Sequence, residues 1–147
     1  MKNDYKLTPS MEDYLESILK METINDNAKV KDIAKDLKVQ MPSVIGALKT
    51  LREKKLVLYE KNSRIELTKK GKTIARSVKD RHEAIASFLQ KIFIFSEEDA
   101  QATACRIEHV IKPETAKQFR NLTYYLSTNI IGKHMSKEEW DEVIQKD

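Results

Sequence analysis

The sequence predicts a mainly α-helical protein, a winged helix-turn-helix domain followed by an all-helical domain, and three observations carry that expectation. The 147 residues include three Gly and three Pro, too few turn formers for a sheet-dominated fold. Apolar residues recur at helical spacing along most of the chain. Only one stretch, around Lys61-Asn62-Ser63, reads as a pair of short strands.

Thr8-Pro9-Ser10 opens a first helix, with Thr8 placed to cap and Pro9 at the first helical position, where its missing N–H costs nothing. It runs to about Thr23 on a stripe of Met11, Tyr14, Leu15, Ile18, Leu19 and Met21, and breaks at Ile24-Asn25-Asp26-Asn27. Val30, Ile33, Ala34 and Leu37 define a second helix, which stops at Lys38-Val39-Gln40. Pro42 and Ser43 open a third, with Val44, Leu48 and Leu51 inward and Lys49, Arg52, Lys54 and Lys55 outward. Two short helices about a tight turn are the helix-turn-helix pattern. The runs Leu56–Glu60 and Arg64–Leu67 then form a hairpin, a candidate wing too small to make a core of its own.

A long helix from Thr68 to about Ile92 begins strongly basic and turns apolar at Ile85, Phe88, Leu89 and Ile92. Ser96-Glu97-Glu98-Asp99 caps the next, expected to continue to Ile111. Pro113 starts another, with Phe119, Leu122, Tyr125 and Leu126 as its apolar face. Ser136-Lys137-Glu138-Glu139 caps a last short helix ending in Val143 and Ile144.

Composition narrows the function classes. The 40% hydrophobic content fills a modest core, and no apolar run approaches the roughly 20 residues that span a bilayer. Met1-Lys2-Asn3-Asp4 leads into no apolar signal core, so a cytoplasmic protein with no membrane partner is expected. Cys105 is the one cysteine, which excludes an intrachain disulfide. The net charge of +4 is unevenly spread: twelve Lys and Arg lie between Lys49 and Arg81, opposed by Glu53, Glu60, Glu66 and Asp80. Such a surface suits a polyanion, although a solvated lysine-rich face accounts for the charge equally well. With no Gly-flanked nucleophile, phosphate-cradling loop or His-Glu-x-x-His motif, an enzyme is not expected.

The most informative stretch is Cys105-Arg106-Ile107-Glu108-His109. On a helix its thiol, carboxylate and imidazole, at i, i+3 and i+4, leave one face together. Sulfur, oxygen and nitrogen donors in that arrangement suit a divalent transition ion better than calcium or magnesium. Elsewhere the residues alone say less. Asp13 and Glu16 share a face, but carboxylates near a helix N-terminus are most often favourable charges, and His82 by itself reads as a surface or boundary residue.

From about Leu7 to Leu126 the chain resembles the diphtheria toxin repressor and manganese transport regulator family of metal-dependent winged-helix repressors. The segments that carry the likeness are Thr8 to Glu16, the Val30 to Leu51 helix-turn-helix, Leu67-Thr68-Lys69-Lys70-Gly71, Arg81-His82 and Ala104 to Val110. The resemblance implies a DNA-binding domain over 1–72 and a helical dimerisation and metal-binding domain over 73–147. It implies Asp13, Glu16, His82, Cys105, Glu108 and His109 as metal ligands. Asp13 and Glu16 look like the manganese-type branch, whereas Cys105 looks like the iron-type branch and replaces a carboxylate that bridges two ions in the manganese type. Ala86 and Gln101 stand where the iron-type ancillary site has Glu and His. The donor set suits Mn(II), favoured here over Fe(II), and Cys105 adds tolerance of Co(II), Ni(II) and Zn(II) in vitro.

The same resemblance implies a repressor of metal-uptake genes that binds operator DNA as a homodimer. Pro42 to Lys54 would be the recognition helix, entering the groove with Gln40, Met41, Pro42 and Ser43, while Lys49, Lys61 and Arg64 contact phosphates. Ile45 and Gly46 stand where relatives often have polar side chains. Apolar contact and shape readout are then expected to carry more of the specificity. Dimerisation is expected through Ile85, Phe88, Leu89, Phe119 and Tyr125, residues that could equally be internal core. Two other readings stay open: a winged-helix regulator not controlled by metal, and a small metalloenzyme.

Overall fold

The computed structural model describes residues 7–60 and 64–146, which form two compact units, 1–78 and 79–147. The boundary between the units falls inside a long helix, at 78/79. Among the described residues the order is α1 (Pro9–Asn25), α2 (Val30–Asp36), α3 (Met41–Glu53), β1 (Val57–Tyr59), β2 (Ile65–Leu67), α4 (Lys69–Lys91), α5 (Glu97–Ile107), α6 (Pro113–Asn129) and α7 (Lys137–Gln145).

In the first unit the Thr8 hydroxyl accepts from Met11 N at 3.3 Å and caps α1, as the sequence indicates. Helix α1 ends at Asp26, whose φ of 53° turns the chain through the left-handed region. Helices α1, α2 and α3 pack around Leu15, Ile18, Ile33, Val44, Leu48 and Leu51, all fully buried. Each such aliphatic side chain contributes roughly 1.5–3 kcal/mol. The α2–α3 turn uses Lys38 at φ 55°, with Val39 N–H donating to Ala34 O. The hydroxyl of Ser17 donates to Asp36 at 2.7 Å, and Lys20 pairs with the same carboxylate, tying α1 to α2.

Strands β1 and β2 are antiparallel, with Val57 opposite Leu67 and Tyr59 opposite Ile65. Ala28 bridges Ile65 from the other side, so the small sheet is seated on the α1–α2 connection. Both strands are held by side chains as well. Glu22 of α1 accepts from Leu67 N–H at 2.7 Å and lies 3.5 Å from Lys72, while Arg52 of α3 donates to Tyr59 O at 3.3 Å. The wing tip, including Lys61, lies outside the described residues.

Helix α4 starts where Thr68 Oγ1 accepts from Gly71 N–H at 3.0 Å. Gly71 is required by close approach: a Cβ there would sit 2.0 Å from the carbonyl oxygen of Leu56. In the second unit Ile85, Ala86 and Leu89 of α4 pack on Ala100 and Ala104 of α5. Two alanines one turn apart let the helices approach closely.

Three expectations need correction. Helix α5 ends at Ile107, not Ile111, because Lys112 precedes Pro113 and takes extended angles, and residues 108–110 form a turn closed by Val110 N to Ile107 O. The buried face of α6 is Ala116 and Thr123, whereas Leu122 and Tyr125 are about half exposed. Of the expected dimer contacts, Ile85, Phe88 and Leu89 are internal core, with Phe88 edge-to-face on Phe93 and Phe119. The last helix is as anticipated: Ser136 and Glu139 form a reciprocal capping box, and Trp140 donates to Ile92 O at 2.8 Å.

Gly71→Ala forces the start of α4 away from Leu56, and a loss of about 3 kcal/mol is expected. Urea unfolding of the variant beside the parent measures it; an unchanged midpoint would contradict the close approach.

Candidate metal centre

Within the second unit, His82 stands on the α4 face that continues into Ile85, Ala86 and Leu89 at i+3, i+4 and i+7. Across from it, Gln101, Cys105 and Glu108 follow at i, i+4 and i+7 beside the buried Ala100–Ala104 stripe of α5. Helix packing therefore aims one imidazole at three polar side chains.

The donor atoms of His82, Cys105 and Glu108 all lie within 4.8 Å of one another. His82 Nδ1 is 2.6 Å from Glu108 Oε2 and 3.7 Å from Cys105 Sγ. The other carboxylate oxygen, Glu108 Oε1, is 3.3 Å from His109 Nε2. Glu108 is the centre of this set and only 1% exposed. An ionised carboxylate at such a place is costly unless positive charge or strong donors face it. A thiol, a buried carboxylate and an imidazole within 4.8 Å, with a second imidazole on the other carboxylate oxygen, are a donor set that fits a divalent transition ion.

Gln101 was not read from sequence as part of this set, yet its side-chain oxygen lies within hydrogen-bond distance of His82 Nε2. A histidine that ligates through one ring nitrogen is held by a partner on the other. Gln101 at Nε2, with Glu108 and Cys105 at Nδ1, therefore sets the orientation of the ring. The signal was present in the spacing, since Gln101 precedes Cys105 by one turn and Glu108 by two.

The arrangement differs from the single helical face expected of Cys105, Glu108 and His109. Glu108 is the C-cap of α5 and His109 belongs to the following turn, with His82 on one carboxylate oxygen of Glu108 and His109 on the other. His82, weak evidence alone, is what joins Cys105 to Glu108. Asp13 and Glu16 lie in the first unit, one turn apart on α1 and partly buried beside Tyr14, Leu15 and Ser17.

On α3, Gln40, Met41, Pro42, Ser43 and Lys49 are exposed, and Met41 keeps 53% of its surface. Arg64, expected at a phosphate, donates to Asp26 O at 2.9 Å and lies 3.7 and 3.8 Å from the Asp26 and Glu66 carboxylates. It braces the root of the wing while leaving about half of its side chain exposed.

Gln101→Ala should lower affinity for a divalent transition ion about 10-fold or more while leaving the helical content unchanged, since it removes only the outer partner of His82. Competition with a chromophoric chelator, alongside circular dichroism, checks this; equal affinities would show that Gln101 does not orient the ring.

Residues 6–65 match the family model described as iron dependent repressor, N-terminal DNA binding domain. Residues 68–137 match iron dependent repressor, metal binding and dimerisation domain. The HTH-type transcriptional regulator MntR of Geobacillus kaustophilus is 35% identical over 118 residues, 80% of this chain and 83% of that protein. An HTH-type transcriptional regulator of Methanocaldococcus jannaschii is 32% identical, over 78% of this chain and 92% of that protein. Among solved structures, the manganese regulator SloR superposes with a TM-score of 0.70 at 28% identity, over 81% of this chain and 55% of that one. ScaR with bound Zn2+ gives 0.64 at 25% identity, over 78% of this chain and 54% of that one. The chain thus spans about half the length of these solved structures but most of its regulator relatives. With both halves matched in order, the chain belongs to the diphtheria toxin repressor and manganese transport regulator family of metal-dependent winged-helix transcriptional regulators.

Proposed function

We propose that this chain is a metal-responsive DNA-binding repressor that works in the cytoplasm as a homodimer, with Mn(II) as its effector ahead of Fe(II) and with metal-uptake genes as its targets. The observation that carries the reading is Glu108, a buried carboxylate with His82 Nδ1 at 2.6 Å, His109 Nε2 at 3.3 Å and Cys105 close by. That donor set lies in the half of the chain matched by a metal-binding and dimerisation model. No helix among the described residues is long and apolar enough to cross a membrane.

Asp13 and Glu16 complete the ligand set in this proposal. They add hard oxygen donors to Glu108, which favours Mn(II) and Fe(II), while Cys105 admits Co(II), Ni(II) and Zn(II). A bound divalent cation supplies the positive charge that lets carboxylates from both halves of the chain face one point. Without it, Asp13, Glu16 and Glu108 repel one another, and α1 samples many orientations relative to the helical unit. Because α1 packs on α2 and α3 through one core, holding its carboxylates holds the recognition helix as well.

In the homodimer this restraint sets two α3 helices near the spacing of successive major grooves, about 34 Å. Gln40, Met41, Pro42 and Ser43 enter the groove, and Lys49, Lys61 and Arg64 take phosphates. The half-exposed Leu122 and Tyr125 of α6 are apolar surface that a second copy would cover.

DNA recovered by the protein from a randomised duplex library in Mn(II), followed by fluorescence anisotropy with Mn(II), Fe(II), Zn(II) and a chelator, tests the reading. Addition of Mn(II) should tighten binding about 5- to 150-fold. Glu108→Ala should abolish that gain while leaving the helical spectrum intact. Stimulation of the variant equal to that of the parent, or binding indifferent to the chelator, would refute control by metal. Sedimentation should give a dimer, and a monomer in the presence of metal and DNA would sink the spacing argument.

A further inference from the structure

The chain has three glycines, and two of them answer to its own fold. Gly71 lets α4 begin against the Leu56 carbonyl, and Gly132 has φ +79°. Gly46 answers to neither need. It lies in the interior of α3, it is exposed, its φ is not positive, and a Cβ placed on it meets nothing within 4 Å. Glycine is the poorest helix former after proline. Nothing within the described fold offsets that cost at this position.

The surroundings indicate what does. Pro42, Ser43, Lys49 and Thr50 stand at i−4, i−3, i+3 and i+4 from Gly46, so it sits at the middle of the outward face of α3. Pro42, Ser43 and Lys49 are exposed, and the Thr50 hydroxyl donates to Gly46 O at 3.3 Å. The carbonyl is thereby occupied, and the amide is used inside the helix. What faces outward is a notch one side chain deep, whose apolar Cα floor itself offers no donor to a phosphate. Ile45, the preceding residue, is partly exposed on the adjacent face.

We propose that Gly46 is a specificity-determining residue of α3: the missing side chain seats a thymine C5-methyl, and with it a base-pair edge, directly against the helix backbone. The thymine methyl is the apolar projection of the major groove, and it is the group such a notch fits. This rests on the DNA-binding reading above and assigns it a contact that no hydrogen-bonding side chain makes. The position works by absence, giving up helix stability for closeness of approach.

The test uses the full chain with Mn(II), the duplex recovered from the randomised library, and the same duplex with each thymine in turn replaced by uracil, which removes one methyl. Gly46→Ala should melt a few degrees higher than the parent, since alanine favours the helix and meets no obstacle. It should bind the recovered duplex about 10-fold more weakly and bind an unrelated duplex as the parent does. One uracil position in each half-site should weaken the parent about fourfold and leave Gly46→Ala unaffected. Equal affinity of variant and parent for the recovered duplex, or equal uracil penalties in both proteins, overturns the proposal. Failure of the parent to select any duplex with Mn(II), Fe(II) or Zn(II) overturns the DNA-binding reading itself, and is seen before the variant is tried.

Discussion

A carboxylate removed from water between two imidazoles governs the second unit. Glu108 is 1% exposed, with His82 on one oxygen and His109 on the other. Burying that group costs several kcal/mol unless charge or hydrogen bonds compensate. The rest of the unit follows from keeping it compensated. Ala100 and Ala104 bring α5 close to α4, Ile85 and Leu89 fill the contact, and His82 is delivered to Glu108 on the same face. Gln101 then holds the far side of the ring. The groups around Glu108 are of the kind a transition ion accepts, which supports the proposed metal site.

The first unit is built on a different constraint, the need to make three helices and a very short hairpin rigid enough to present α3. A two-stranded sheet of three residues per strand is not stable alone. Here it is bonded to Ala28 at one edge, to Glu22 and Arg52 through their side chains, and to the start of α4 through Thr68 and Gly71. The hairpin, α1 and α3 therefore share one core. A force applied at Asp13 or Glu16 on α1 is carried to α3 through packed side chains with no loop between them.

Most of the fold was legible because it rests on local signals. Thr8-Pro9, the Ser96 cap and the Ser136–Glu139 capping box marked helix starts, and apolar spacing marked the inward faces of α1 to α3. The failures came where partners elsewhere in the chain decide. The side of α6 that is buried is chosen by close packing at Ala116 and Thr123, which no periodicity of large apolar residues reveals. Ile85, Phe88 and Leu89 look the same in sequence whether they meet α5 or a second subunit. At the candidate metal centre, Cys105, Glu108 and His109 stood out by spacing, and family resemblance supplied His82. The early end of α5 and the hold of Gln101 on His82 depend on three-dimensional neighbours. Pro113 hinted at the first, and the helical spacing of Gln101 from Cys105 and Glu108 hinted at the second.

The clasp of Glu22 on Leu67 N–H has a consequence for how this protein behaves at high concentration. A short sheet with bare backbone at its margin is a template on which another polypeptide can lay a strand, and stacking of that kind leads to insoluble material. Glu22 occupies one such backbone donor and Arg52 one such acceptor, so the hairpin has fewer vacant positions to offer a foreign strand. Contacts that brace the wing also keep copies of the chain from sticking together edge to edge, leaving self-association to surfaces elsewhere in the molecule.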